Sequence, residues 1–303
     1  MADSVQKVSS IVVGTSLEIG SDPVVATSVD IARGCGAPLH LFHAHDLPTV
    51  FIGASAGLAA VTPDLLSSER EVRCRLLDEQ LDRLGLERST IAGVTVEAGA
   101  VHRMLLETAR REKADLLVLG ARETDRLSWL GSTVDRVLRQ AECPVWVIDG
   151  APRMPPRRVL APVDLSPLAL GSLRRGLQVL DQLGGEPPAV ELLFVLTAKE
   201  IERSQQFDSA AIHRMAEEEL ERFAAKLDPS GGGRLTREVR RGDEVRDEIV
   251  KEASGGDFDL VILATHGRSG FDRFLLGSVA ADVASRCEVS SLIVPPGRED
   301  QGA

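Results

Sequence analysis

Tyrosine is absent from this 303-residue chain, and all aromatics together make up only 3% of it. A core that cannot lean on large rings must be built from Val, Leu, Ile and Ala, the residues of buried parallel strands under helices. Cysteine is also scarce. Cys35, Cys74, Cys143 and Cys287 stand far apart, with no CxxC pair and no zinc-ligand spacing. That excludes a disulfide scaffold and points to free thiols in a reducing cytosol. No long hydrophobic run occurs. The weakly polar stretch TVFIGASAGLAAV, residues 49–61, is too short and too rich in Gly and Ala to span a bilayer. The N-terminal MADSVQKVSS lacks the apolar segment of a signal peptide, so the expected location is cytoplasmic, without a membrane partner. Positive charge is lacking too: the net charge is −11, spread over both halves. Neither half offers a basic face, which argues against nucleic acid as a partner.

What is present is a composition of 43% hydrophobic and 27% charged residues, that of a soluble globular chain long enough for two domains. An internal repeat organises it. The segment GSTVDRVLRQAECPVWVI from Gly131 aligns without a gap on GSVAADVASRCEVSSLIV from Gly277. Upstream, ADLLVLG before Ala121 matches FDLVILA before Thr265. SSIVVGTSLE opens the first copy and RRVLAPVDLS the second.

Both copies run in the same order. A strand (11–14; 159–163) and an apolar helix are followed by a second strand (39–44; 190–196). A long connection leads to a charged helix (63–84; 210–227). A third strand ends in Gly99 or Gly242, and a further helix leads to the fourth strand. Short apolar runs alternating with helical patterns imply βαβ units, so the fold class is α/β: two doubly wound, open parallel-sheet domains in tandem. The Pro-rich APRMPPRR from Ala151 reads as a stiff linker, giving domains at 1–150 and 157–297, whereas DPSGGGR from Asp228 is a loop inside the second.

The second copy carries the chemistry. Ala264-Thr265-His266-Gly267 is followed by nine residues and then Gly277-Ser278 at a helix start. A strand delivering its carboxyl end to a glycine turn, with a helix N-terminus aimed at the same place, makes an anion site. Gly277 admits close approach, Ser278 brings a hydroxyl, and the Val279 amide is an unpaired donor. A turn with an N-cap would explain Gly277-Ser278 equally well without a ligand. Asp164, at the end of the first strand of this copy, can face the same crevice or simply cap the turn before Ser166-Pro167.

VLAPVDLS at Val159, DLVILATHGRSG at Asp259 and GSVAADV at Gly277 resemble the signature of the universal stress protein family, over two domains covering nearly the whole chain. The resemblance implies a nucleotide α-hydrolase-like fold and an ATP loop of Gly, two residues, Gly, nine residues, Gly, then Ser or Thr. Ala264 replaces the first glycine; Gly267, Gly277 and Ser278 fit. By resemblance, Pro162, Val163, Asp164 and the Val195 backbone would hold the adenine and ribose side. Ala264, Gly267, Gly277, Ser278 and Val279 would hold the phosphates, and Mg2+ would accompany ATP. Arg268 either neutralises phosphate charge or is a solvated surface residue. His266 is read as a structural loop residue rather than an acid or base.

The first copy departs from this pattern. Ser16 stands for Asp164, Ala44 for Val195 and Glu123 for Gly267, with seven residues rather than nine before Gly131. A carboxylate beside a triphosphate and a shortened loop predict a degenerate site. His40, His43, His45 and Asp46 form the densest group of potential metal ligands. Strand alternation separates His40 from the other two, so a structural role is expected. The stretch 49–61 either covers this crevice, meets a partner or is a flexible loop. The expected function is regulatory ATP binding in a stress response, with slow ATP hydrolysis or a nucleotide-free scaffold as rivals. The resemblance further implies that the copies pair through PVWVI and SSLIV as a pseudo-dimer within the chain, and leaves open a homodimer of whole chains.

Overall fold

A computed structural model describes residues 7–45, 63–121, 133–203, 208–265 and 277–297. The first half runs β1 (Ile11–Gly14), α1 (Asp22–Cys35), β2 (Leu39–His45), α2 (Pro63–Arg83) and β3 (Gly93–Ala98). It continues with α3 (Val101–Arg111), β4 (Leu116–Gly120), α4 (Thr133–Gln140) and β5 (Val145–Ile148). The second half runs β6 (Arg158–Pro162), α5 (Pro167–Asp181), β7 (Ala189–Thr197), α6 (Ala198–Arg203) and α7 (Ser209–Leu227). It ends with β8 (Leu235–Gly242), α8 (Val245–Gly255), β9 (Leu260–Ala264), α9 (Ser278–Arg286) and β10 (Ser291–Val294). Among the described residues, no helix is long and apolar enough to cross a membrane.

The strands form one ten-stranded sheet in the order β3-β2-β1-β4-β5-β10-β9-β6-β7-β8. Every pairing within a half is parallel, while β5 and β10 pair antiparallel. The order reverses beside β1 and again beside β6, the switch points where open α/β sheets leave a crevice.

Alternation along the strands assigns each residue to a face. Ile11 and Val13 enter one core while Val12 enters the other, and Leu116 and Val118 part from Leu117 and Leu119 in the same way. Each core runs across both halves, one on either side of the sheet. Near-continuous apolar strands are thus required by burial on both faces.

Among the described residues, two contacts between the halves stand out. Trp146 lies opposite Leu292 in the β5–β10 ladder, and both are buried. The two residues are equivalents in the repeat, so the ladder places each beside its own counterpart. Away from the ladder, a Cβ built on Gly34 of α1 would lie 2.3 Å from the Leu183 carbonyl oxygen, just past α5. Only glycine lets those backbones touch. The Val8 amide donates to Gln182 Oε1 at 2.7 Å beside the same contact.

The acid that opens each ADLLVLG-type motif has a structural task. Asp115 Oδ2 accepts from the Ser9 amide and hydroxyl, at 2.7 and 2.6 Å. Asp259 Oδ2 accepts from the Arg157 and Arg158 amides, at 2.7 and 2.9 Å. Each carboxylate closes off the amides where its half's first strand begins. The connection after β7 contains a helix the apolar pattern does not announce. Thr197-Ala198-Lys199-Glu200 forms a reciprocal capping box: Thr197 N and Oγ1 donate to Glu200 Oε2, and Glu200 N donates to Thr197 Oγ1.

The Trp146 ring fills the centre of the junction. Trp146→Ala is expected to lower unfolding free energy by about 3–5 kcal/mol, measured as a shift of the urea midpoint.

Candidate functional site

β6 and β9 are hydrogen-bonded neighbours only near their starts, with Val159 opposite Leu260 and Leu160 opposite Val261. The equivalent β1–β4 ladder extends one pair further, to Val13 opposite Val118. The Val163 amide donates to Leu193 O on β7 at 2.9 Å, so the amide one residue earlier would point to β9. Position 162 is proline and has no amide to give. The ladder ends there, below the crevice that an open α/β sheet leaves at its switch point.

On the far side of β6, the ladder to β7 ends with Pro162 opposite Leu193. The backbone of β7 continues to Thr197. Since Leu193 O faces β6, alternation turns the Val195 N–H and C=O to that same side, beyond the end of the neighbouring strand. Val195 itself is buried in the core. Its backbone therefore edges the crevice while its side chain anchors it.

Asp164 lies at the mouth. Its Oδ1 accepts from the Ser166 amide at 3.0 Å, and Ser166 Oγ in turn accepts from Ala169 N at 3.1 Å, capping α5 ahead of Pro167. Leu165 between them is left-handed, φ 61°. Its counterpart Leu17 is left-handed as well, φ 68°. A side chain in that region costs about 1–2 kcal/mol, and both halves bear it at the same turn. The repeated Leu within VDLS and TSLE is the sequence trace of this strain.

Across the crevice, Gly277 is the N-cap of α9. Its amide donates to Thr265 O at 2.7 Å, and a Cβ on it would lie 3.0 Å from that same oxygen. Glycine is what lets the helix start sit against the end of β9. Because the Gly277 amide is engaged, the donors at this helix start are those of Ser278, Val279 and Ala280. Among the described residues, no side chain caps α9. Ser278 is exposed and Val279 half-buried. Ala264 ends β9 below them. Pro162, Val163, Asp164, Val195 and Ala264 thus lie at or near the carboxyl ends of β6, β7 and β9, and Gly277, Ser278 and Val279 begin α9 against the end of β9. His266, Gly267 and Arg268 lie outside the described residues, as do Glu123, Gly131, Ser132 and the 49–61 stretch.

In the first half the turn after β1 is tied to α2 by side chains. Thr15 stands where the second half has Val163. Thr15 Oγ1 donates to Gln80 Oε1 at 2.9 Å and accepts from the Leu17 amide at 3.1 Å. Gln80 Nε2 donates to Ser21 Oγ at 3.0 Å and Asp22 Oδ1 at 2.8 Å. Arg83 closes the set on Asp22 at 3.0 and 3.1 Å. Gln80 is fully buried, so the network ties α2 down over the β1 turn. Ser16 meanwhile faces solvent and accepts from the Glu18 amide at 3.4 Å.

Burial alone would raise the Asp22 carboxyl, but the hydrogen bonds from Arg83 and Gln80 outweigh it and hold it below its ordinary value. A carboxyl depressed on folding stabilises above its unfolded pKa, and that contribution disappears as pH falls through the folded value. Asp22→Asn should therefore be less stable than the parent at pH 7. The gap in melting temperature should close below about pH 4.

One sheet built of two parallel halves, each reversing its strand order at its own switch point, defines a doubly wound α/β architecture. The model of the Universal stress protein family matches the chain twice, over residues 7–149 and 156–295. The chain belongs to the universal stress protein family and holds two of its domains in tandem. Universal stress protein MJ0531 of Methanocaldococcus jannaschii is 24% identical over 146 residues, 48% of this chain and 85% of the archaeal protein. A solved universal stress protein from Archaeoglobus fulgidus superposes with a TM-score of 0.67 at 16% identity, covering 97% of this chain and 98% of its own. Protein PA1789 of Pseudomonas aeruginosa PAO1, described as functionally unknown, gives 0.64 at 17% identity over 99% and 97%. At such identities the two structures speak for the fold alone.

Proposed function

We propose that the second domain, residues 157–297, binds one adenine nucleotide, ATP in the first instance, and that binding regulates the chain's contacts rather than serving a dedicated catalyst. The observation that carries this reading is the parting of β6 and β9 at Pro162, which leaves a crevice rimmed by groups of two kinds. On one rim are the Asp164 carboxylate and the backbone edge of Val195, able to meet ribose hydroxyls and an adenine edge. On the other are the first amides of α9, with Gly277 close against Thr265, where a helix start favours negative charge.

Pro162 and Val163 would line the base side and Ala264 the floor. Gly267, Gly277, Ser278 and Val279 would surround the phosphates, with Arg268 neutralising charge and Mg2+ travelling with ATP. The first domain, residues 1–150, is read as degenerate. Ser16 offers no carboxylate, and the Thr15–Gln80–Asp22–Arg83 network fixes α2 over the corresponding turn. A regulatory role follows from the same geometry: nucleotide would bridge the β6 turn and the start of α9, shifting the population of arrangements those segments adopt.

Equilibrium dialysis of the whole chain should give about one ATP bound, and Asp164→Ala should weaken binding by about tenfold, the loss of one hydrogen bond to a charged group. A stoichiometry near two would overturn the degenerate reading of the first domain. No binding at all would leave a scaffold without nucleotide.

A further inference from the structure

The first domain holds an unusual concentration of unanswered nitrogens under α2. His43 and His45 alternate onto the same face of β2, their rings nearly parallel (14°) with centroids 6.1 Å apart. His43 is only 7% exposed. Its Nδ1 lies 2.9 Å from the Thr15 carbonyl oxygen, which can only accept, so Nδ1 carries the proton and Nε2 presents a lone pair. Among the described residues, that Nε2 is buried and has no hydrogen-bond partner. Both ring nitrogens of His45 and the Nε of Arg73, on α2, are in the same condition. Four buried nitrogens without partners on three basic side chains represent a desolvation cost that a ligand would relieve.

The ring geometry selects the ligand. Imidazole lone pairs lie in the ring plane, so two nearly parallel rings do not converge on one point as metal coordination requires. Parallel edges at this spacing suit a group whose own acceptors are spread apart. Arg73 adds a cationic donor, which opposes a metal ion and favours an anion. We propose that His43, His45 and Arg73 form a binding site in the first domain for a small tetrahedral oxyanion of the phosphate class, taken up together with a proton from solvent. The proton goes to an imidazole, turning the lone pair of His43 Nε2 into a donor. The anion then accepts from imidazolium, from His45 and from the Arg73 guanidinium.

The charged surroundings fit this exchange. Burial is the main influence pushing the His43 imidazole below its ordinary value, against the Thr15 carbonyl, with Arg73 and His45 adding to the fall. Glu69 pairs with Arg73 at 3.5 Å through a terminal guanidinium nitrogen, leaving Nε unengaged. From β3, opposite His43 in register, comes the apolar Val96. An arriving oxyanion supplies the negative charge that a protonated His43 lacks, so binding and protonation support each other.

The test is calorimetric titration of the full chain with inorganic phosphate, under saturating ATP so that the crevice of the second domain is occupied. Repeating it in two buffers of different ionisation heat counts the protons. At pH 6 a saturable site should appear with net proton uptake, weakening about tenfold for each unit of rising pH above the histidine range. Arg73→Met and His43→Gln should each abolish the site, with circular dichroism confirming that they fold. Phosphate binding that persists in folded Arg73→Met, that shows no proton uptake, or that is absent from the parent would each overturn the assignment.

Discussion

Everything in this molecule hangs on the pairing of β5 with β10. A half-sheet ending at either strand would expose a row of unpaired backbone groups beside a fully apolar strand, a combination that invites indiscriminate association. Pairing the two ends antiparallel removes both edges at once and puts Trp146 against Leu292 at the centre of one continuous sheet. The two cores then need not close within a domain, and each runs through the whole chain. With so few aromatics available, the ring of Trp146 is used where the most surface must be covered.

Within that shared frame the halves differ by what fills the first turn. A left-handed leucine follows the first strand in both, so the backbone geometry of the turn precedes any question of ligand. Beyond it the halves take different courses. Pro162 ends the β6–β9 ladder early and Val163 joins the core in the second half, whereas Thr15 gathers Gln80, Ser21, Asp22 and Arg83 into a closed hydrogen-bonded set in the first. The same scaffold position ends a ladder early in one half and anchors a helix in the other.

The fold was legible in the sequence because burial on both sheet faces leaves long, unambiguous apolar strands, and because the repeat supplied every element twice. Membership of the family was legible from VLAPVDLS and GSVAADV. Less could be read at α6, where the signal is a four-residue capping box rather than a periodicity, and at Asp115 and Asp259, whose task depends on which amides the fold brings near. Of the candidate site, the sequence pattern already places Asp164 just past β6, Val195 on β7 and Gly277 at the start of α9. The engagement of the Gly277 amide with Thr265 O was not legible, since a hydrogen bond between distant backbone groups leaves no mark on residue type. Nor was the parting of β6 from β9, which needs the register before the missing amide of Pro162 acquires a direction.

The antiparallel sense of the central pairing also sets where the molecule can be addressed. In each half all strands run together, so the carboxyl ends of the first half and those of the second lie at opposite ends of the sheet. The two switch points therefore lie at opposite ends of the strands, one per half. Duplication has made a two-ended body in which neither half's strand ends lie beside the other's.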